Sequence, residues 1–255
     1  MARYQVILAY DGARFTGSQR QAISRTVQGE LEAALRRLGW AGRSVIMAGR
    51  TDTGVHASGQ VAAFDLDWSH APEDLLHALN AALPPDLAVR AARVAAPDFH
   101  PRFDARSRRY CYRLYCEPVR DPLRDRLAWR VWPAVALEDL APVAALFLGT
   151  HDFAAFGSPV SRKGTTVRTV EAAAWRDRED GLSFEIRANA FLYRMVRRIV
   201  FVQVAVAQGK CSARAVSSLL RGGVPGSRGE TLPAGLAPAH GLTLVEVTYE
   251  GRITG

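Results

Sequence analysis

An acid set beside a permanent cation and punctuated by glycines stands in the stretch Met47-Ala-Gly-Arg-Thr-Asp-Thr-Gly-Val-His-Ala-Ser-Gly-Gln60. The apolar runs on either side, residues 44–48 and 61–64, read as strands, and the loop between them carries Arg50, Asp52 and His56. In extended backbone, side chains two apart share a face, so Arg50 and Asp52 project together. A carboxylate held beside a guanidinium stays ionised, the state a carboxylate nucleophile needs. Gly49, Gly54 and Gly59 permit unusual backbone angles or the close approach of a substrate. A plain hairpin turn uses the same residues otherwise, with Asp52 accepting local backbone donors and Arg50 in water. Asp52-Thr53-Gly54 also spells the triplet of aspartic proteases, in which two carboxylates share a proton. There an apolar strand runs directly into the triplet; here Gly49-Arg50-Thr51 precedes it, and the arginine opposes proton sharing.

Two further groups of residues bear on chemistry. The stretch Asp98-Phe-His-Pro-Arg-Phe-Asp-Ala-Arg-Ser-Arg-Arg-Tyr-Cys-Tyr-Arg113 is the most basic and aromatic part of the chain. Strand alternation puts Tyr110 and Tyr112 on one face and Arg109, Cys111 and Arg113 on the other. A tyrosine over a nucleobase supplies stacking and a polar tip, while flanking arginines hold phosphates. A half-buried strand with aromatic cross-strand pairs shows the same alternation. His100 reads as structural or phosphate-contacting. Arg194, Arg197 and Arg198 sit at i, i+3 and i+4, one side of an expected helix, where a solvated face is the plain alternative. His151-Asp152 reads as structural, since no His/Cys spacing elsewhere suggests a metal site. Neither a Walker loop nor a GxGxxG stretch is present, so no nucleotide cofactor is implied.

The elements that must position these residues follow from periodicity and punctuation. Residues 4–10 read as a strand ending at the Asp11-Gly12 turn signal. Thr26 caps a helix to about residue 38, with Val27, Leu31, Ala34, Leu35 and Leu38 on one face. Pro72 opens a helix over 72–83, stopped by Pro84-Pro85, and 87–94 is a strand. The order β-α-β-β-α-β is the split βαβ pattern of ferredoxin-like domains. The second half repeats it: a strand over 108–115, a helix over 137–148, a hairpin of 165–175 with 182–188 across Asp180-Gly181, helices over 191–208 and 212–220, and a strand over 242–249. Residues 222–240, rich in Gly and Pro, read as a loop. The expectation is an α/β (α+β) chain of two tandem split βαβ units, residues 1–105 and 106–255, sharing a mainly antiparallel sheet.

Composition sets the partner class. The 255 residues are 48% hydrophobic, enough for one large or two small cores. Lys+Arg number 33 against 25 Asp+Glu, net +8, and Lys163 and Lys210 are the only lysines. A basic, arginine-rich chain invites a polyanion, since the planar guanidinium fork suits phosphate; an evenly spread genomic arginine bias gives the same totals. Cys111, Cys116 and Cys211 form no framework, and Cys111 and Cys116, five apart in a strand, face opposite sides. Free thiols of a reducing cytosol are expected. The start is unlike a signal peptide, and the longest apolar run, 199–207, is too short to span a bilayer.

The signature stretch, Gly49 to Val61, resembles the G-R-T-D-x-G-V-H-x-x-G-Q-V motif of the bacterial tRNA pseudouridine synthase A family. Tyr10 to Gln21 resembles its Y-D-G-x-x-F-x-G-W-Q-x-Q segment, with Ser18 where tryptophan is usual. Residues 99–112 resemble its F-H-A-R-F-x-A-x-x-R-x-Y-x-Y motif, residues 148–156 its L-x-G-x-H-D-F-x-x-F, and residues 188–197 its A-N-A-F-L-x-x-M-V-R. Arg194 and Phe201 are further departures, where histidine and glycine are common. The resemblance implies the pseudouridine synthase fold and isomerisation of uridines 38, 39 and 40 of the tRNA anticodon stem-loop. It also implies a homodimer in the cytoplasm without cofactor or metal. By the same resemblance Asp52 is the nucleophile, Arg50 fills the space of the flipped base, and Arg197 pairs with the nucleophile. Tyr110 then contacts the uracil, with Arg109 and His100 as further substrate contacts. A non-catalytic binder of structured RNA is the alternative, and a lone carboxylate among arginines facing a polyanion is what it would not need.

Overall fold

The computed structural model describes residues 1–159, 164–223 and 231–250. Among them the fold is mixed α+β, with ten strands paired mainly antiparallel and five α-helices, as expected. The chain divides into two compact units, Met1–Arg106 with the chain from Thr243, and Ser107–Leu242.

In the first unit the element order is β1 (Ala2–Tyr10), α1 (Val27–Arg37), β2 (Ile46–Met47), β3 (His56–Leu66), α2 (Pro72–Ala82) and β4 (Leu87–Val94). This is the β-α-β-β-α-β order read from the sequence. β1 lies between β3 and β4, antiparallel to both. Its alternate residues Tyr4, Val6, Leu8 and Tyr10 are buried, as are Val27, Leu31, Ala34 and Leu35 of α1 and Leu75 and Leu79 of α2. Burying each of the valine and leucine side chains stabilises by about 1.5–3 kcal/mol, which fixes the faces these elements present. Thr26 caps α1 as expected, its hydroxyl accepting from Gly29 N–H at 3.2 Å.

Two boundaries in this unit differ from the sequence reading. The strand expected over 44–48 is only Ile46–Met47, paired with Ala63 and Ala62 of β3. β3 begins at His56 rather than residue 61, so His56 belongs to a strand and not to the loop. The reason lies at the far end of the chain: β10 (Leu242–Tyr249) runs parallel to β3, with Thr243 opposite His56 and Leu244 opposite Ala57. Sequence order put this last strand with residues 106–255; its packing groups it with the first unit.

The second unit holds β5 (Ala105–Tyr115), β6 (Trp129–Arg130), α3 (Leu137–Ala145), β7 (Gly149–Asp152), β8 (Val167–Arg178), β9 (Gly181–Ala188), α4 (Met195–Ala207) and α5 (Ala213–Leu220). The strand order is β5-β9-β8-β7, antiparallel throughout, with β6 parallel on β5. β6 and β7 carry no readable alternation and owe their form to the strands beside them. α3 ends three residues early because its last turn tightens, Leu146, Phe147 and Leu148 donating to carbonyls three residues back.

α4 is the clearest correction. It was expected from residue 191 and starts at Met195, because Arg194 is left-handed with φ +63° and Tyr193 pairs with Ser158 in a β-bridge. Arg194 therefore leaves the helical side that it was expected to share with Arg197 and Arg198. Its guanidinium instead lies 4.7 Å from the Tyr193 ring centroid. The three cysteines are free thiols, as expected. Of the loop expected over 222–240, residues 224–230 lie outside the described residues. No helix among the described residues is long and apolar enough to cross a membrane.

Candidate active site

In the first unit the loop between β2 and β3 is held most closely at Thr51. Thr51 donates its N–H to Ser18 Oγ at 2.8 Å and accepts the Ser18 N–H at its carbonyl at 3.1 Å. Its hydroxyl lies 2.8 Å from the Tyr10 hydroxyl. Gln60, wholly buried, donates to the Gly49 carbonyl at 2.8 Å. Val55 N–H closes a turn back to the Asp52 carbonyl at 3.1 Å. Gly17, with φ +81°, lets the Ser18 segment come this near: a Cβ there would lie 2.9 Å from the Thr51 carbonyl oxygen.

Burial along the loop alternates as the spacing requires. Thr51 is buried, Arg50 before it is exposed, and Asp52 after it is half-buried. Pinning the inward residue on three atoms thus fixes the backbone from which the cation and the acid both leave. Burial pushes the Tyr10 hydroxyl up to about 12, so it remains a neutral hydroxyl at Thr51. His56 is 4% exposed, with Nδ1 3.0 Å from the Gly12 N–H and 3.1 Å from an Asp11 carboxylate oxygen. Its role is to tie β3 to the turn after β1.

Ser18 stands where the family pattern usually has tryptophan, whose loss would leave a gap if that ring packed against neighbouring loops. Instead Ser18 is wholly buried and joins two elements, its carbonyl accepting from Gln28 N–H at 2.9 Å. Beside it, Glu32 of α1 is also wholly buried. Its carboxylate accepts from Arg20 at 2.6 Å, Gln28 at 2.9 Å and the Val45 N–H at 3.1 Å. Neither Ser18 nor Glu32 stood out in the sequence as part of the loop's support. The one signal was the glycine immediately before Ser18.

His100 organises its own loop. Its Nδ1 accepts the N–H groups of Arg102 and Phe103, both at 3.2 Å. That nitrogen is therefore occupied internally.

In the second unit, β5 alternates as read: Tyr110 and Tyr112 are buried, while Arg109, Cys111 and Arg113 are half-buried. The Tyr110 ring meets Phe191 edge-on at 5.1 Å between centroids. Arg109 lies 3.6 Å from the Glu185 carboxylate. Arg197 Nε donates to the Ala237 carbonyl at 2.8 Å, and Ala237 N–H returns a bond to the Arg197 carbonyl at 3.2 Å. Arg198 donates to the Gly235 carbonyl at 3.0 Å, and the Tyr112 hydroxyl to the Pro238 carbonyl at 2.8 Å. Residues 235–238 are thus strapped down by β5 and α4. His151 and Asp152 spend their polar atoms locally, on the Leu148 carbonyl at 2.7 Å and the Ala154 N–H at 2.9 Å. Among the described residues no group of His, Cys, Asp and Glu is placed to hold a metal ion.

Arg50, Asp52 and His100 thus belong to the first unit, and Arg109, Tyr110 and Arg197 to the second. A family model described as tRNA pseudouridine synthase matches residues 6–104 and 143–250, which takes in all of these except Arg109 and Tyr110. The chain belongs to the tRNA pseudouridine synthase family. Within it the chain is similar to the bacterial proteins named tRNA pseudouridine synthase A. It is 40% identical to that of Shouchella clausii over 98% of this chain and 94% of that one. Against the Chloroflexus aurantiacus protein the identity is 42%, over 98% and 89%. Against the Bacillus subtilis protein it is 38%, over 97% and 99%.

Proposed function

We propose that this chain isomerises uridine to pseudouridine in tRNA, in the cytoplasm, at uridines on the 3′ side of the anticodon arm, with Asp52 as nucleophile. The observation that carries the reading is the support of the signature loop: Thr51 is bonded through N–H, carbonyl and hydroxyl, with Arg50 and Asp52 on either side. A loop that only turned the chain would need no such hold on one residue. Rigid backing is what a displacement at carbon requires of a carboxylate.

A uridine in a stacked arm must first leave the stack. Arg50, exposed and next to the pinned residue, takes the vacated space. The Asp52 carboxylate attacks ribose C1′ or uracil C6, the N1–C1′ bond breaks, and the uracil turns within the site. C5 then bonds to C1′ as the bond to Asp52 breaks, C5 gives up its proton, and N1 takes one up, which frees the carboxylate. Atoms balance without any redox partner, so the reaction as written needs no cofactor or metal. Following the family pattern, Arg197 pairs with the Asp52 carboxylate, Tyr110 contacts the uracil, and Arg109 and His100 contact the substrate. The working form in this reading is a homodimer.

The test is release of tritium from unmodified tRNA labelled at uridine C5, because forming pseudouridine must expel that hydrogen. Release that depends on Asp52 supports the reading. No release from a range of tRNAs that the protein nevertheless binds would replace it with a binder of structured RNA.

A further inference from the structure

Phe103 holds its ring in water, 75% exposed. A single exposed phenylalanine is ordinary, but this one stands on a turn built to present it. His100 donates its N–H to the Asp104 carboxylate at 2.8 Å, and Asp104 returns its N–H to the His100 carbonyl at 3.0 Å. Inside that closed loop the His100 imidazole accepts from the N–H groups of Arg102 and Phe103. The same imidazole lies against the Phe103 ring, centroids 4.2 Å apart and planes 25° apart. The Arg102 guanidinium lies 5.8 Å from the ring centroid. The backbone of residues 100–104 is therefore ordered from within, and the ring is backed on one side by a second flat ring.

We propose that Phe103 is a stacking platform for an unpaired base of the RNA substrate, with Arg102 beside it for the neighbouring phosphate. The proposal rests on the tRNA reading above. A flat heterocycle laid on the ring continues a stack that His100 has begun, and every base has a π-face to offer. Sequence recognition in RNA falls on splayed, unstacked bases, which the loop of an anticodon arm supplies. A protein partner is the less suited occupant. Protein contacts want contiguous apolar area, and here one ring stands among the exposed Arg102, Asp104 and Arg106. Holding the ring rigid before binding reduces the ordering cost that an exposed side chain otherwise brings to an interface.

The experiment uses the full-length protein and an unmodified tRNA transcript, with affinity measured by fluorescence anisotropy apart from turnover. Phe103→Ala and Phe103→Leu should each weaken binding roughly 5- to 100-fold, the range that loss of one base–aromatic stack gives. Phe103→Trp should keep the affinity, and its added emission should be quenched by the RNA. Melting temperatures near that of the unsubstituted protein show that the turn still folds. If Phe103→Leu binds as tightly as the unsubstituted protein, an apolar contact suffices and stacking is overturned. If Phe103→Ala binds RNA normally but changes the oligomeric mass, the ring faces protein and the proposal is overturned. An unsubstituted protein that binds and isomerises tRNA while both variants match it overturns the platform alone. One that binds no tRNA overturns the platform together with the functional reading.

Discussion

Ser18 and Thr51 are bonded to each other in both directions, the Thr51 N–H donating to the Ser18 hydroxyl oxygen at 2.8 Å and the Ser18 N–H to the Thr51 carbonyl at 3.1 Å. The pair spans 33 positions and joins the segment after β1 to the residue between Arg50 and Asp52. Removing the Ser18 hydroxyl strands the buried Thr51 N–H, a loss of about 1–3 kcal/mol. Ser18→Ala should therefore lower the midpoint of urea unfolding and reduce the single-turnover rate more than it weakens tRNA binding. Ser18→Trp, the residue common in the family, should fare no better. The site is wholly buried and its hydroxyl is in use. A rate unchanged in Ser18→Ala would detach the loop's geometry from this bond.

Tyr10 supplies the third bond to Thr51, and burial raises its hydroxyl from 10.0 to about 12. The folded state thus keeps the proton longer than the unfolded chain does. That stability is whole below pH 10 and is lost as pH rises toward 12, by about 3 kcal/mol across the window. Tyr10→Phe removes the titrating group, so its unfolding free energy should lack this part of the alkaline decline. Parallel slopes for the two proteins between pH 9.5 and 11.5 would contradict the burial argument.

Asp52→Asn keeps size and shape but cannot act as a carboxylate nucleophile, so tritium release should stop while tRNA binding persists or tightens. The control must be another acid. Asp65 is unsuitable, because Arg3 grips it with two bonds of 2.8 and 2.7 Å. Asp67, 92% exposed at its side chain, should tolerate Asn without effect. A folded Asp52→Asn protein with near-normal turnover would end the mechanism.

Glu32 should matter to stability more than its place on a helix suggests. Glu32→Ala strands the buried Val45 N–H, costing about 1–3 kcal/mol, while the Gln28 amide keeps Ser44 Oγ at 2.8 Å and Arg20 can turn to water. Glu32→Gln retains an acceptor and should lose less. Denaturant unfolding of the two variants ranks them, and equal losses would mean that the charge and not the bonds is what counts.

The net charge of +8 sets a fifth expectation. If arginines contact tRNA phosphates, the logarithm of affinity should fall linearly with the logarithm of salt, by roughly 0.7–0.9 per phosphate. A flat dependence from low to physiological salt contradicts a phosphate-led interface.

What was legible in the sequence is what local pattern decides. β4 and β10 fall where alternation put them, and α1 starts at its threonine cap. The signature loop was found from residue types alone, since glycines, an acid and an arginine so spaced are uncommon together. Its support was not legible, because Ser18, Tyr10 and Gln60 act through partners distant in sequence or through backbone atoms that carry no residue code. The start of α4 was missed for a related reason. Nothing in the sequence marks Arg194 for a left-handed backbone; the bridge from Tyr193 to Ser158 draws the chain out of helical register. Phe103 passed unremarked because periodicity reports burial, and an exposed ring on a turn has no period.

The parallel pairing of β10 with β3 also has a meaning in time. The strand that begins four residues after Asp52 is completed by residues 243 and 244, made long after it. At roughly 5–20 residues per second, residues 56 and 57 wait on the order of ten seconds or more for them. Meanwhile the second unit, continuous in the chain, has every strand it needs. The half that carries the signature loop is thus the one whose sheet waits on a strand far downstream in the chain, while the other half closes from consecutive residues.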